Sequence, residues 1–387
     1  EFGTKKYDVI NSGHSTDLCF AITYRYVKDG FRLYTFTLEN TNIAENGKIR
    51  DEDCYFQVGF SLNSRDSFAP LPENEKLNYN DNDYLSNQML YRNVRSYAIG
   101  HGCSASWDDH ADQDNGAVYM IETSIFPQYE IKPIVPSAIK GVSLEMYRLS
   151  DFGEKGDIIA ELNNLCNNYE EWITKLIDEK LHEITDKGTA LRHIEACKEC
   201  LGRMRDGVNL LKSDDKVLFA FQLMNRAMLL QQLHYNLPLQ NWAVDENDVL
   251  FLENAVERLP DINDPETWYQ KDIRTYGKWR PFQLAFVLIN LRAMFENDCD
   301  ARKIVDLIWF PTGGGKTEAY LGLSAYTIFI RRLLDKTNAG TTILMRYTLR
   351  LLTSQQYERA SSMICACEMI RKEKEQLLGN DRISIGL

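Results

Sequence analysis

One stretch constrains this chain more than any other: Asp306-Leu-Ile-Trp-Phe-Pro-Thr-Gly-Gly-Gly-Lys-Thr-Glu-Ala-Tyr320, where a short apolar run enters three consecutive glycines and leaves as a helical pattern. Ile304, Val305, Leu307, Ile308 and Trp309 predict a parallel strand covered on both faces. Thr312, Gly313, Gly314 and Gly315 permit a tight turn whose successive N–H groups converge on an anion with no Cβ in the way. Lys316 brings a cation to the outer phosphates of a nucleotide and Thr317 offers its hydroxyl to Mg²⁺. The helix that starts there directs its positive end at the same anion. The pattern therefore predicts a cradle for ATP and Mg²⁺ formed by Pro311 to Gly315, Lys316, Thr317 and Glu318. Lys316 and Thr317 carry the catalytic contacts, and Thr317 is the metal ligand.

The first glycine of the general phosphate-loop pattern G-x-x-x-x-G-K-[ST] would fall at Phe310. Helicases of superfamily 2 also lack that glycine, and Pro311 to Thr317 resembles their Pro-Thr-Gly-x-Gly-Lys-Thr form. Upstream, Trp279-Arg-Pro-Phe-Gln283 opens a helix with Pro281 in its first turn. Gln283 resembles the adenine-reading glutamine of the same superfamily, since a carboxamide can both donate to and accept from the adenine edge. Downstream come a helix over 318–334, a break at Asn338-Ala-Gly340 and a second buried strand, Thr341-Thr-Ile-Leu-Met345. A third helix follows, with a capping-box pattern at Thr353 and Gln356, and then Ile383-Ser-Ile385. The order βαβαβ predicts the core of a RecA-like parallel sheet, with ligands at the carboxyl ends of its strands. In superfamily 2 enzymes the segment matching Arg346, Thr348 and Arg350 grips the DNA phosphate backbone, which the resemblance implies here.

At 387 residues the chain is expected to hold two or three domains. An apolar content of 44% with 26% charged residues fits a soluble globular protein, and no run approaches a membrane span, so no membrane partner and a cytoplasmic location are expected. Nine scattered cysteines fit reduced thiols in that compartment. Cys197-Lys-Glu-Cys200 has metal-ligand spacing but no completing pair, so it is taken as two helix cysteines rather than a zinc site. The opening Glu1-Phe2-Gly3-Thr4 lacks an initiator Met, has the character of a cloning scar, and is left out of the expected fold.

Residues 5–138 predict a β-rich N-terminal domain. Phe20, Ile22, Tyr24 and Tyr26 alternate along one strand, Asp29-Gly30 makes a hairpin turn, and Phe31, Leu33, Thr35 and Thr37 continue in the next. Further strands are expected at 55–62, 94–99 and 117–124, with a long surface loop over 63–87. The cluster His101-Gly-Cys-Ser-Ala-Ser-Trp-Asp-Asp-His-Ala-Asp112 matches no ligand spacing and is taken as a glycine turn with an acidic loop. Residues 139–260 predict a helical domain, with Ile158, Leu162, Leu165, Tyr169, Trp172 and Leu176 on one stripe and Leu218, Phe221, Met224 and Met228 on another. Residues 261–387 complete a multidomain α+β and α/β architecture as an incomplete RecA-like ATP-binding domain.

The motifs together resemble a more specific family. Trp309 to Leu323, Met345-Arg-Tyr-Thr-Leu-Arg-Leu-Leu352 and Ile364-Cys-Ala-Cys-Glu368 resemble the DrmA family, the helicase-like subunits of the bacterial anti-phage DISARM system. Asn87-Gln-Met-Leu-Tyr-Arg-Asn-Val-Arg95 and Gly100-His-Gly-Cys103 resemble that family's N-terminal region. The resemblance implies an ATP-driven DNA translocase working beside a DrmB-like partner and a DNA methyltransferase. Tyr347 stands where many superfamily 2 enzymes have Pro, and the following Gln is displaced by one. The chain ends before any Asp-Glu-x-His or Asp-Glu-x-Asp sequence and before a second RecA-like half, so it is expected to be an N-terminal piece that is inactive alone. Residues 331–387 hold ten Lys+Arg against six Asp+Glu, while the other 330 residues hold 34 against 50, so a polyanion would meet the C-terminal part. Two other functions are compatible with the same motifs: a phosphate-loop ATPase that drives assembly, and a DNA-sensing, partner-binding module with a relict nucleotide pocket.

Overall fold

In the computed structural model, the residues described are 2–11, 14–26, 32–43, 47–71, 81–108, 117–127, 139–235, 241–253, 261–263, 277–309, 314–346 and 350–386. The chain divides into two units, Glu1–Glu130 and Ile131–Leu387.

The first unit holds two small antiparallel sheets. Strands β1 (Phe2–Asn11), β2 (His14–Tyr26) and β3 (Arg32–Asn40) lie in that order, with Tyr24 opposite Tyr34 and Ile22 opposite Phe36. The alternation expected for β2 holds, and Phe20, Ile22 and Tyr24 share one face with Tyr34 and Phe36, with Phe60 edge-on to Phe20 at 5.1 Å. The stripe expected for β3 is off by one residue, since Leu33, Thr35 and Thr37 lie on the other face, opposite Arg25, Thr23 and Ala21. The Asp29-Gly30 turn lies outside the described residues. The opening residues, left out of the expected fold, form the edge strand β1, paired from Phe2 opposite Arg25. In the second sheet β4 (Ser61–Phe68), β6 (Val118–Ser124) and β5 (Ser104–Trp107) are ordered β4-β6-β5. Other expectations are corrected in this unit as well. The strand expected at 55–62 forms later, at Ser61–Phe68, and 94–99 makes none. The expected loop over 63–87 also contains the start of helix α1 (Asn82–Leu90), whose N-cap Asp81 accepts from the N–H groups of Asp83 at 2.9 Å and Tyr84 at 3.4 Å.

The second unit is largely helical: α2 (Met146–Leu149), α3 (Lys155–Lys175), α4 (Lys187–Ser213), α5 (Asp215–Tyr235), a short hairpin of β7 (Trp242–Val244) and β8 (Leu250–Leu252), α6 (Pro281–Phe295), α7 (Lys316–Leu334), α8 (Arg350–Glu373) and α9 (Glu375–Leu378). The apolar stripes read from the sequence form its core. Ile158, Leu162 and Leu165 of α3 and Leu218, Phe221, Met224 and Met228 of α5 are all buried, each contributing about 1.5–3 kcal/mol. The same core continues through Leu284, Val287, Leu288 and Leu291 of α6, Leu321, Tyr326 and Phe329 of α7, and Met363, Cys367 and Ile370 of α8. Trp172, by contrast, lies exposed, stacked on Tyr169 at 5.6 Å. Among the described residues no helix is long and apolar enough to cross a membrane.

The expected parallel RecA-like sheet is not present among the described residues: every sheet is antiparallel, and 304–309, 341–346 and 383–386 form no ladder. A parallel strand buried on both sides needs hydrogen-bonded neighbours and a cover on each face. Here only one face is covered. Ile343, Met345 and Ile385 pack on the helical core, and Asp306 is held from within by Arg203. Val305 (95% exposed), Leu307 (80%), Trp309 (82%) and Leu344 (81%) face outward. The apolar run was therefore legible, but the pairing it suggested is not formed by these segments.

The C-terminal segment is tied to α8 by an acid-sensitive contact. Glu368 accepts from Arg371 through both carboxylate oxygens at 2.7 Å and from the Ile383 backbone N–H at 2.9 Å. The Arg371 guanidinium, with the Ile383 N–H adding to it, holds the Glu368 carboxyl down at about 2, against 4.5 for an unperturbed glutamate. The folded form thus binds this proton less readily than the unfolded chain, so the contact stabilises fully above about pH 4.5 and is lost as pH falls towards 2. Glu368→Gln should flatten the acid limb of a melting-temperature profile in that window. An acid limb identical to that of wild type would remove Glu368 from this role.

Candidate nucleotide site

Gly314 and Gly315 are held from below by the start of α6. Pro281 occupies the first turn, where its missing N–H costs nothing, and Gln283 Oε1 accepts from the Arg280 backbone N–H at 2.8 Å. That capping contact fixes Gln283, which is only 3% exposed, so that its Nε2 donates to the Gly315 carbonyl at 2.7 Å. Arg280 Nη1 donates to the Gly314 carbonyl at 2.6 Å. With two consecutive carbonyls pulled towards α6, the backbone of the turn is clamped. Gly315 has φ +83° and ψ 27°, the left-handed region, and an added Cβ would come within 2.9 Å of Gln283 Nε2. Both facts require glycine at this position.

Helix α7 begins at the next residue. Its N-cap is Gly315, so no side chain caps the N–H groups of the first turn, and the positive end of a 19-residue helix lies at the glycine turn. Lys316 and Thr317 occupy that first turn, Lys316 half-buried and Thr317 buried. Thr317 Oγ1 lies 3.1 Å from Gln356 Oε1 and 3.0 Å from the Tyr320 hydroxyl. Glu318 is committed to a close ion pair with Arg359 of α8. It therefore ties two helices together rather than facing a phosphate, against its expected place in the cradle. Trp279, just before α6, donates its indole N–H to Asn225 at 2.7 Å, and Gly322 packs against its ring. The α6 and α7 termini are thereby set on the α5 core.

The segment leading into the turn is anchored as well. Arg203 of α4 donates to both carboxylate oxygens of Asp306, at 2.6 and 2.7 Å, and to the Ile289 carbonyl at 3.3 Å. The Asp306 carboxylate raises the Arg203 pKa further above its ordinary value. A bidentate pair of this kind, poorly exposed on both sides, sets the register at which 304–309 leaves the helical core.

Of the residues expected at the site, the structure brings together Gln283, Gly314, Gly315, Lys316, Thr317 and Glu318. Phe310, Pro311, Thr312, Gly313, Tyr347 and Thr348 lie outside the described residues. Arg346 is exposed at the end of the 341–346 segment, and Arg350 begins α8. Both ends of the Gln283 carboxamide are used within the protein, so its observed work is to clamp the turn; one donor and one acceptor position per amide remain. Arg280, Tyr320, Gln356, Arg359 and the Arg203–Asp306 pair were not expected from sequence. Arg280 could have been noticed beside Pro281, whereas the others are brought in by helices distant along the chain. For the cysteine pair, burial raises the Cys200 thiol pKa above its ordinary value, and among the described residues no group of His, Cys, Asp and Glu has the arrangement of a metal site.

The chain is 37% identical to the DISARM protein DrmA of Bacillus paralicheniformis over 371 residues, a span covering 92% of this chain. The chain is a homologue of DrmA. That bears out the resemblance carried by the motifs around Lys316, Met345 and Ile364. The chain spans about 30% of the length of that DrmA protein. No family model matches the chain.

Proposed function

We propose that this chain carries the nucleotide-binding site of an ATP-dependent DNA helicase or translocase acting in anti-phage defence. The observation that carries the proposal is the clamped glycine turn. Arg280 and Gln283 draw the Gly314 and Gly315 carbonyls one way, and Lys316 and Thr317 emerge on the uncapped first turn of α7 immediately beyond. The backbone N–H groups of that turn suit the oxygens of a phosphate chain, and Lys316 suits its terminal charge. The donor set also fits Mg²⁺: Thr317 is a buried hydroxyl on the same turn, and it would hold the ion, which neutralises phosphate charge when bound. Gly315 supports the fit, because a side chain there would fill the turn.

DNA is the proposed track. Arg346 ends the 341–346 segment and Arg350 begins α8, Thr348 lies between them in sequence, and arginines there suit the phosphate backbone of any sequence. Similarity to a DISARM protein supports a DrmB-like protein and a DNA methyltransferase of the same system as partners. The test is ATP turnover by the full-length protein with and without DNA. DNA is expected to accelerate turnover, and Lys316→Ala to abolish it. Turnover indifferent to DNA would favour an assembly-driving ATPase instead. DNA binding without any turnover, unaffected by Lys316→Ala, would favour a sensing module.

A further inference from the structure

Thr317 is the residue on which the metal side of the site depends, and its hydroxyl is gripped from another helix. Gln356 and Arg359 stand one turn apart on α8 and therefore on one face, and they meet successive residues of the first turn of α7: Gln356 meets Thr317, and Arg359 meets Glu318. A hydroxyl has one hydrogen and two lone pairs. Gln356 Oε1 is a carbonyl oxygen and can only accept, so across 3.1 Å it takes the single hydrogen of Thr317. The Tyr320 hydroxyl, 3.0 Å from the same oxygen, must then donate its own hydrogen to one of the two lone pairs. One lone pair of Thr317 Oγ1 is left, and its direction is set by two partners fixed on two helices.

We propose that Gln356 is a positioning residue for the divalent cation that accompanies the nucleotide, holding the Thr317 hydroxyl so that its remaining lone pair is presented to the metal. This rests on the nucleotide reading above and deepens it. A hydroxyl oxygen that gives a lone pair to a dication becomes a stronger hydrogen-bond donor, so the bond to Gln356 strengthens when the metal is present. The contribution of Gln356 is therefore larger for the metal–nucleotide complex than for the nucleotide alone. Because Gln356 lies six residues into the helix that begins at Arg350, the same contact joins metal occupancy to the segment proposed to meet DNA.

The experiment is titration of the purified chain with a fluorescent ATP analogue, once with excess Mg²⁺ and once with EDTA. Variants are Gln356→Leu, Gln356→Glu, Thr317→Val and the double Gln356→Leu/Thr317→Val, each checked by its melting curve. Gln356→Leu should weaken binding with Mg²⁺ about tenfold and leave binding in EDTA unchanged, the size expected for one charge-assisted hydrogen bond. Gln356→Glu still accepts and should keep the Mg²⁺ dependence of wild type, which guards against a leucine variant that folds poorly. The double variant should lose no more than Thr317→Val alone, since both act through one hydroxyl. Equal loss with and without Mg²⁺ in Gln356→Leu would make the residue merely structural and overturn the proposal, as would no loss in either condition. Absence of binding by wild type in both conditions would overturn the nucleotide reading and this inference with it, an outcome distinct from the other two.

Discussion

Lys316→Ala should remove the stabilisation that ATP gives this chain against thermal unfolding. A ligand at about a hundred times its dissociation constant stabilises the folded form by about 2.7 kcal/mol. Losing the lysine ammonium from the phosphates removes one or more charge-assisted bonds worth about 1.5–3 kcal/mol each, so affinity should fall about a hundredfold and the thermal shift should nearly vanish. Folding itself should survive. Lys316 lies half-buried on the first turn of α7, whereas the core contacts of that helix come from Leu321, Ala325, Tyr326 and Phe329 further along. The measurement is melting of wild type and variant over an ATP series at fixed Mg²⁺. An undiminished ATP shift in Lys316→Ala would remove the lysine from the site.

A second large effect is expected at Gly207, where α4 crosses α6. A Cβ built there would sit 2.3 Å from the Leu288 carbonyl oxygen and 3.0 Å from its carbon. Those are backbone atoms of a packed helix, so neither side chain nor solvent can give way, and α4 and α6 must move apart. Overpacking of this sort costs about 1–3 kcal/mol and at times more, against roughly 1 kcal/mol gained when alanine replaces glycine inside a helix. The clash wins, and Gly207→Ala should lower the melting temperature by several degrees. Gly202 on the same helix gives the opposite sign: nothing lies within 4 Å of its added Cβ, so Gly202→Ala should raise the melting temperature slightly. If both substitutions stabilise, the close approach of α4 to α6 is wrong. The clamp would be affected too, because α6 carries Gln283 at its first turn.

Local chemistry was the legible part of this chain. Helical periodicity found Ile158, Leu162, Leu218 and Phe221, because a stripe repeating every three or four residues is set by the helix alone. The alternation of Phe20, Ile22 and Tyr24 found β2, for the matching reason in a strand. The glycines, Lys316 and Thr317 were singled out because a phosphate cradle needs those types at those spacings, and the fold places Gly314, Gly315, Lys316 and Thr317 at the start of α7. Strand pairing in the second unit was not legible. An apolar run such as 304–309 states that something should cover it, but not which segment pairs with it, and the outward Val305, Leu307 and Trp309 have no cover among the described residues. Helix α1 escaped because its start rests on the single Asp81 cap within a polar stretch.

The clamp and the hydroxyl contacts escaped for a different reason. Gln283 was singled out for a base-reading role, yet in the fold its carboxamide bridges the Arg280 N–H and the Gly315 carbonyl. Gln356 was noticed only as part of a capping pattern, and its meeting with Thr317 depends on how α8 lies against α7. Arg203 and Asp306 are likewise brought together only where the 304–309 segment lies against α4. Apart from the Gln283–Arg280 cap, which is local to the start of α6, such contacts come from tertiary packing, which no local pattern encodes, and they are the ones that shape the candidate site.

The most direct test of a nucleotide site at this turn is calorimetric titration of ATP with Mg²⁺ into the wild-type chain at low salt. One saturable site per chain, competed by ADP and absent in Lys316→Ala, is the predicted result. A well-folded wild-type chain that gives no saturable binding of ATP, or one whose binding persists unchanged in Lys316→Ala, would contradict it.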